Sequence, residues 1–213
     1  MLQIVRDVLA VAGPVLIIWA FYGYAKGVKD GDIKPHKYTW PLWAIATTAG
    51  WIATQRAHAG VFALIVPTVD TLIEYYVVWL AWTGYGYVDK NGKSGKAWQK
   101  ALTPIALLLG SGWYLAVHWH WIDLTWGITA AIIGDILAAI FTLHKEIEDP
   151  ASEDWRPWTL SFVGATLVAL SLSHYSYTAA GFTIYLAAMT GVIALVVYVA
   201  QQLDRKKRKA GGR

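Results

Sequence analysis

Three acidic residues sit in stretches of this sequence that are otherwise apolar. Asp70 and Glu74 lie in the hydrophobic stretch near 59–83, four residues apart, so a helix would put both carboxylates on one face, one turn apart. Asp135 lies in another such stretch, near 122–144. Asp70 is about eleven residues into its stretch and Asp135 about thirteen, which at about 1.5 Å per residue is close to the middle of a bilayer. An aspartate at the centre of a membrane helix costs about 2.5 to 3.5 kcal/mol on insertion scales, and no lysine or arginine is available at that depth to pair with it. A proton, hydrogen bonds from hydroxyls such as Thr68 and Thr71, or a bound cation would relieve the cost. One reading is a neutral carboxyl that fixes helix packing. The sharper one is a mid-membrane site for the polar part of a substrate, a cationic substrate or a proton. Pro67, just before Asp70, would bend the helix and free carbonyls beside the acidic pair; Pro14 and Pro104 interrupt two other stretches in the same way.

Thirteen tryptophans could stack a planar ring, but most fall near the ends of hydrophobic stretches, as interfacial aromatic belts do. Trp40, Trp43 and Trp158 are the better substrate-binding candidates, because they sit on two similar helix starts that would flank a central cleft. His118 and His120 flank Trp119 near Asp123, and imidazole with carboxylate suits a divalent metal. Histidines at i and i+2 face opposite ways on a helix, so a solvated outer-loop cluster is the simpler reading. His144 suits a favourable charge at a helix C-terminus. No resident metal or cofactor is implied; Asp70, Glu74 and Asp135 are the one alternative cation set. The absence of cysteine excludes thiolate sites and disulfides.

The elements that must position these residues are set by the solvent. Of 213 residues 56% are hydrophobic and 15% charged, and the mean hydropathy is +0.40, too apolar for a soluble domain of this length. Hydrophobic stretches fall near 6–25, 38–55, 59–83, 98–117, 122–144, 156–174 and 177–201. Merging 38–83 would change the count, so parity needs an independent test. With seven spans, one side collects Lys26, Lys29, Lys34, Lys37, Lys90, Lys93, Lys96, Lys100, Lys145, Arg156, Arg205, Lys206, Lys207, Arg208, Lys209 and Arg213, and the other only Arg6 and Arg56. Positive residues stay on the cytoplasmic face, so the N-terminus is expected outside and the C-terminus inside, with the first span retained rather than cleaved as a signal peptide. The expectation is an all-α membrane protein of seven transmembrane helices, in a single domain over 1–201 with a basic cytoplasmic tail over 202–213. A prokaryotic inner membrane fits it. The basic tail suits anionic lipid, and the distribution of basic residues as topology determinants disfavours nucleic acid.

Trp40-Pro41-Leu42-Trp43 opens the second span and Trp155-Arg156-Pro157-Trp158 the sixth, each after a charged loop. Proline is tolerated in a first helical turn, where its missing N–H costs nothing. Two such starts at equivalent places divide the chain into a 3+1+3 parallel repeat: a half over 1–83, a linker helix over 98–117 and a half over 122–201. That arrangement resembles the SWEET, PQ-loop and PnuC-type superfamily of small transporters. Thr39-Trp40-Pro41, Asp154-Trp155-Arg156-Pro157 and Tyr75-Tyr76 followed by Trp79 are similar to stretches of PnuC-type nicotinamide riboside transporters. The proline-glutamine pair of the PQ-loop family is missing, with Phe21 and Phe141 in the corresponding places.

The resemblance implies facilitated movement of a small polar or aromatic metabolite, vitamin-like or nucleoside-like, through a cleft between two halves. The alternatives are proton-coupled or divalent-cation transport on the mid-membrane carboxylates, a SWEET-type sugar facilitator, a membrane-embedded enzyme using a carboxylate pair, and a seven-helix receptor. A retinal receptor needs a lysine in the seventh span, and 177–200 has none. No serine-histidine motif, metal motif or phosphate-binding glycine loop points to an enzyme. The expected partners are a small-molecule substrate, membrane lipid and a second copy of the chain in a homo-oligomer.

Overall fold

The computed structural model describes residues 2–58, 61–89 and 92–211. Lys90 and Arg213, and Ala59 and Gly60 at the predicted start of the third span, lie outside them. Among the described residues all regular structure is helical, in seven long helices: α1 Leu2–Asp30, α2 Thr39–Arg56, α3 Val61–Leu80, α4 Ala97–His118, α5 Leu124–Glu148, α6 Trp155–Ser171 and α7 Tyr177–Gly211. One π turn, Ala81–Tyr85, continues α3, and one 3-10 turn, Pro150–Ser152, leads into α6.

The ambiguous region 38–83 divides into two helices. The N–H of Ala57 closes the last turn of α2 on the carbonyl of Ala53, and His58 then takes φ +50°, a left-handed residue of the kind that ends helices. The basic tail is a continuation of α7 rather than a separate segment. That helix runs 35 residues, about 52 Å against a hydrocarbon core of about 30 Å, and Arg208 pairs with Asp204 one turn back at 2.7 Å.

Four helices, α1, α3 with its π turn, α5 and α7, are long and apolar enough to cross a bilayer, and mark the chain as membrane-embedded. The less apolar α2 has a physical reason to be so: twelve of its residues, including Thr39, Thr47 and Thr54, are buried among other helices rather than facing outward.

The most extensive packing joins α1 to α6, followed by α6 with α7, α2 with α5 and α2 with α3. In addition α3 touches α1, and α7 touches α5, while α4 packs on α2 and α5. Glycine explains the α1–α6 crossing. A Cβ on Gly13 would stand 2.6 Å from the carbonyl oxygen of Gly164, and one on Gly164 2.7 Å from that of Gly13, so the two backbones meet directly.

Two large apolar clusters, with a small third of Ala63, Leu172 and Ala180, form the core. One gathers Tyr24, Trp40, Trp43, Val77, Ala138, Trp158 and Ile193, the other Ile17, Ala49, Val66, Ala131, Phe182 and Leu186. Along α2, α3, α5 and α7 alike the clusters leave a gap between them. Thr47, Asp70, Glu74, Asp135 and Thr190 fall in that gap, so a polar layer crosses the bundle between two apolar ones.

Candidate functional site

All six residues singled out from the sequence, Trp40, Trp43, Asp70, Glu74, Asp135 and Trp158, line one internal cavity, together with Phe21, Ser161, Leu186, Met189, Thr190 and Ile193. Asp70 and Glu74 are on consecutive turns of α3, Asp135 on α5, Trp40 and Trp43 on the first turns of α2, and Trp158 on the first turn of α6. Each of the six is buried.

The carboxylates are met from other helices rather than from their own. Glu74 Oε1 accepts a hydrogen bond from the hydroxyl of Thr47 on α2 at 3.0 Å. Asp135 Oδ2 accepts one from the hydroxyl of Tyr185 on α7 at 2.6 Å. The hydroxyls expected from the sequence do not serve. Thr68 donates to the carbonyl of Leu64 in its own helix at 2.6 Å and accepts from the indole of Trp51 at 2.8 Å, and the Thr71 hydroxyl is buried without a partner. Oδ1 of Asp70 and Oε2 of Glu74 are likewise buried without a partner.

The tryptophans pack on one another. Ring centroids stand 5.1 Å apart for Trp40 and Trp43, 5.6 Å for Trp43 and Trp158, and 6.3 Å for Trp40 and Trp158, and Tyr24 of α1 adds a ring 5.1 Å from Trp40. Two of the indole N–H groups are already committed: Trp43 donates to the carbonyl of Asp135 at 3.2 Å, and Trp158 to Glu153 at 3.4 Å. Trp19, Trp79, Trp82, Trp119, Trp121 and Trp126, by contrast, face outward, as belt residues do. The site's unsatisfied atoms are therefore acceptors, and what they can take is a hydrogen-bond donor or a cation.

The cavity is small, about 30 Å³, room for roughly one or two waters. Among the described residues no three carboxylates or imidazoles are gathered closely enough to hold a metal ion. Glu74 and Asp135 each commit an oxygen to a hydroxyl on a different neighbouring helix, which keeps the acidic set from closing around a cation. The outer-loop group is spread too: Asp123 caps α5 by accepting from the N–H of Thr125 at 2.7 Å, contacts that hold its carboxyl below the ordinary range. His144 stands 3.4 Å from Glu148, and its other nitrogen 3.1 Å from Nζ of Lys96.

No family model, no curated protein and no solved structure matches this chain. The site must be read from its own chemistry.

A second polar group lies at the C-terminal end of α5 and just before α6, and sequence reasoning missed it. Lys145, counted among the basic residues of the expected cytoplasmic face, is buried. Its Nζ lies 2.7 Å from Glu153, 3.1 Å from Glu146 and 2.9 Å from the carbonyl of Lys34. Gln201 of α7 adds bonds to the carbonyls of Pro150 and Glu153, at 3.2 and 2.7 Å. The group thus ties α5, α6, α7 and the α1–α2 loop together beyond the tryptophans. His36 in that loop is buried, within 3.2 Å of the Thr39 hydroxyl; burial, aided by the charge of Lys145, pushes its imidazole down to about 4.

Proposed function

We propose that this chain crosses the membrane seven times, N-terminus outside, and moves a small donor-bearing solute, vitamin-like or nucleoside-like, through the cleft between two three-helix halves. The observation that carries the reading is the cavity in which Asp70 and Glu74 each hold an unpartnered carboxyl oxygen beneath three packed tryptophans. An unpaired polar atom in a membrane interior costs free energy, and such groups in transporters mark the substrate or ion path. Faces of tryptophan complement a planar or cationic group.

The packing supports the division into halves. Exchange of α1–α3 with α5–α7 turns the α1–α6 interface into α5–α2, the α2–α7 contact into α6–α3, and α3 between α1 and α2 into α7 between α5 and α6. The fourth helix stands outside the exchange, as a linker would. Ligand pockets usually enclose about 300 to 1,000 Å³, so loading a solute of this class needs the halves to part along the α1–α6 and α2–α5 interfaces.

Substrate-dependent thermal stabilisation in detergent tests the reading, with nicotinamide riboside, other nucleosides, sugars, Mn²⁺ and Zn²⁺ as probes. The expected result is a raised Tm with at least one nucleoside-like or sugar-like solute; stabilisation by the metal ions alone would replace solute transport with cation transport.

A second reading, proton coupling at the same carboxyls, is favoured by the two unpartnered oxygens in a water-sized space. Uptake that rises with an imposed pH gradient would establish it, and uptake indifferent to the gradient would remove it.

A further inference from the structure

A second and much larger cavity, about 510 Å³, lies between α2, α4 and α5. A space of this size lined by apolar side chains favours an apolar occupant over water. Its wall is hydrocarbon: leucine, isoleucine and alanine of the three helices, with Phe141 toward one end and Trp113 and Trp126 at the other. The Thr129 hydroxyl and the Trp113 indole on the wall are already satisfied. Thr129 bonds to the carbonyl of Thr125 at 2.7 Å and to the hydroxyl of Tyr177 at 2.9 Å, and the indole N–H of Trp113 donates to the carbonyl of Trp126 at 3.2 Å. Water or a polar solute would find no partner there.

We infer that this groove holds one acyl chain of an anionic phospholipid, with its headgroup at the N-terminal end of α4. Three observations select that occupant. The α5 wall runs from Trp126 to Phe141, about 22 Å at 1.5 Å per residue, more than the roughly 15 Å of one leaflet. Trp113 and Trp126, joined by their bond, stand at the far end, and at the Phe141 end Trp98 packs at 5.0 Å, partly exposed in the manner of an interfacial tryptophan. That end is basic. Lys96, Lys100 and His144 surround it; Lys96 is shared with Glu148, while exposed Lys100, two residues before Leu102 of the wall, forms no ion pair among the described residues. The groove is open along its side to the bilayer, where Leu102, Ile105, Ile133 and Leu137 of its lining are exposed. Assignment of the mouth to the cytoplasmic leaflet rests on the topology proposed above; the groove does not.

The test is the phospholipid retained by protein purified in mild detergent from a membrane of mixed anionic and zwitterionic lipid, read by native mass spectrometry. About one anionic phospholipid per chain is expected, falling about fivefold or more in Gly134→Leu, which fills the groove, and losing its preference for anionic lipid in Lys100→Glu. A Cβ at Gly134 meets only Ala46, at 3.5 Å, so there is space for the added side chain. Should Gly134→Leu fail to fold, a photoreactive acyl chain crosslinked to the wild type decides the matter. Labelling concentrated on 102–113 and 126–141 supports the groove. No retained lipid, labelling spread evenly over α1 and α7, or a lipid-free dimer that buries this face would overturn it. Solute uptake does not enter these readouts, so failure here leaves the transport proposal standing.

Discussion

Tyr185 of α7 donates its hydroxyl proton to Oδ2 of Asp135 on α5 across 2.6 Å, joining two helices at the polar layer of the bundle. Removing the donor leaves a buried carboxyl oxygen unpaired, at a cost of about 1 to 3 kcal/mol. Tyr185→Phe is therefore expected to lower the unfolding temperature in detergent measurably, and Asp135→Asn, which still offers an acceptor to Tyr185, to lower it less. Equal stability of Tyr185→Phe and wild type would show that the bond contributes nothing.

The crossing of α1 and α6 depends on two glycines. Gly13→Leu or Gly164→Val must push the helices apart, because a Cβ at either site would stand within 2.7 Å of the opposing carbonyl oxygen. Overpacking of this kind costs about 1 to 3 kcal/mol or more. Gly23 is the control: a Cβ there meets nothing within 4 Å, so Gly23→Ala in the same helix is expected to be neutral or slightly stabilising. Loss of folded protein for Gly23→Ala and not for Gly13→Leu would contradict the packing.

Lys145 holds Glu146 and Glu153 together in a buried group. Lys145→Met strands the Glu153 carboxylate, and breaking a buried pair from one side costs about 3 to 5 kcal/mol. Lys145→Met combined with Glu153→Gln should recover part of that loss. A double variant no more stable than Lys145→Met, measured by thermal unfolding, would argue against the pairing.

His36 gives a pH dependence with a definite sign. Its folded pKa, about 4, lies below the ordinary 6.5, so between those values the unfolded chain binds the extra proton. The contribution is full above about pH 6.5 and is lost as the pH falls toward about 4, amounting to roughly 2 kcal/mol at pH 5. Wild type is expected to lose that much more stability than His36→Gln between pH 7 and pH 5; parallel curves would exclude the effect.

Much of the site could be read from spacing. The i, i+4 placement of Asp70 and Glu74, the depth of Asp135 and the paired tryptophan-proline starts name residues that line one cavity. Their hydrogen-bond partners could not be read. Thr47 and Tyr185 lie 27 and 50 residues from the carboxylates they serve, and only the rotation of α2 and α7 within the bundle aims them. Thr68 looked suitable by proximity, but a helical threonine readily bonds the carbonyl four residues back, as it does to Leu64. The burial of Lys145 could not be read, because the hydropathy stretch ends just before it. Its helix runs on to Glu148, and the turn toward Glu153 folds the ammonium inward.

The central claim is that the carboxylates and tryptophans of this cavity bind a transported solute. Uptake of radiolabelled nicotinamide riboside, nucleosides and sugars into proteoliposomes tests it most directly, comparing wild type with Asp70→Asn, Glu74→Gln, Asp135→Asn and Trp43→Ala at matched reconstitution. The account predicts uptake of at least one of these solutes above protein-free liposomes, falling about tenfold or more in the Glu74→Gln and Asp135→Asn variants, as loss of a charge-assisted hydrogen bond of about 1.5 to 3 kcal/mol requires. Uptake no greater than in protein-free liposomes, or uptake unaltered in every variant, would contradict it.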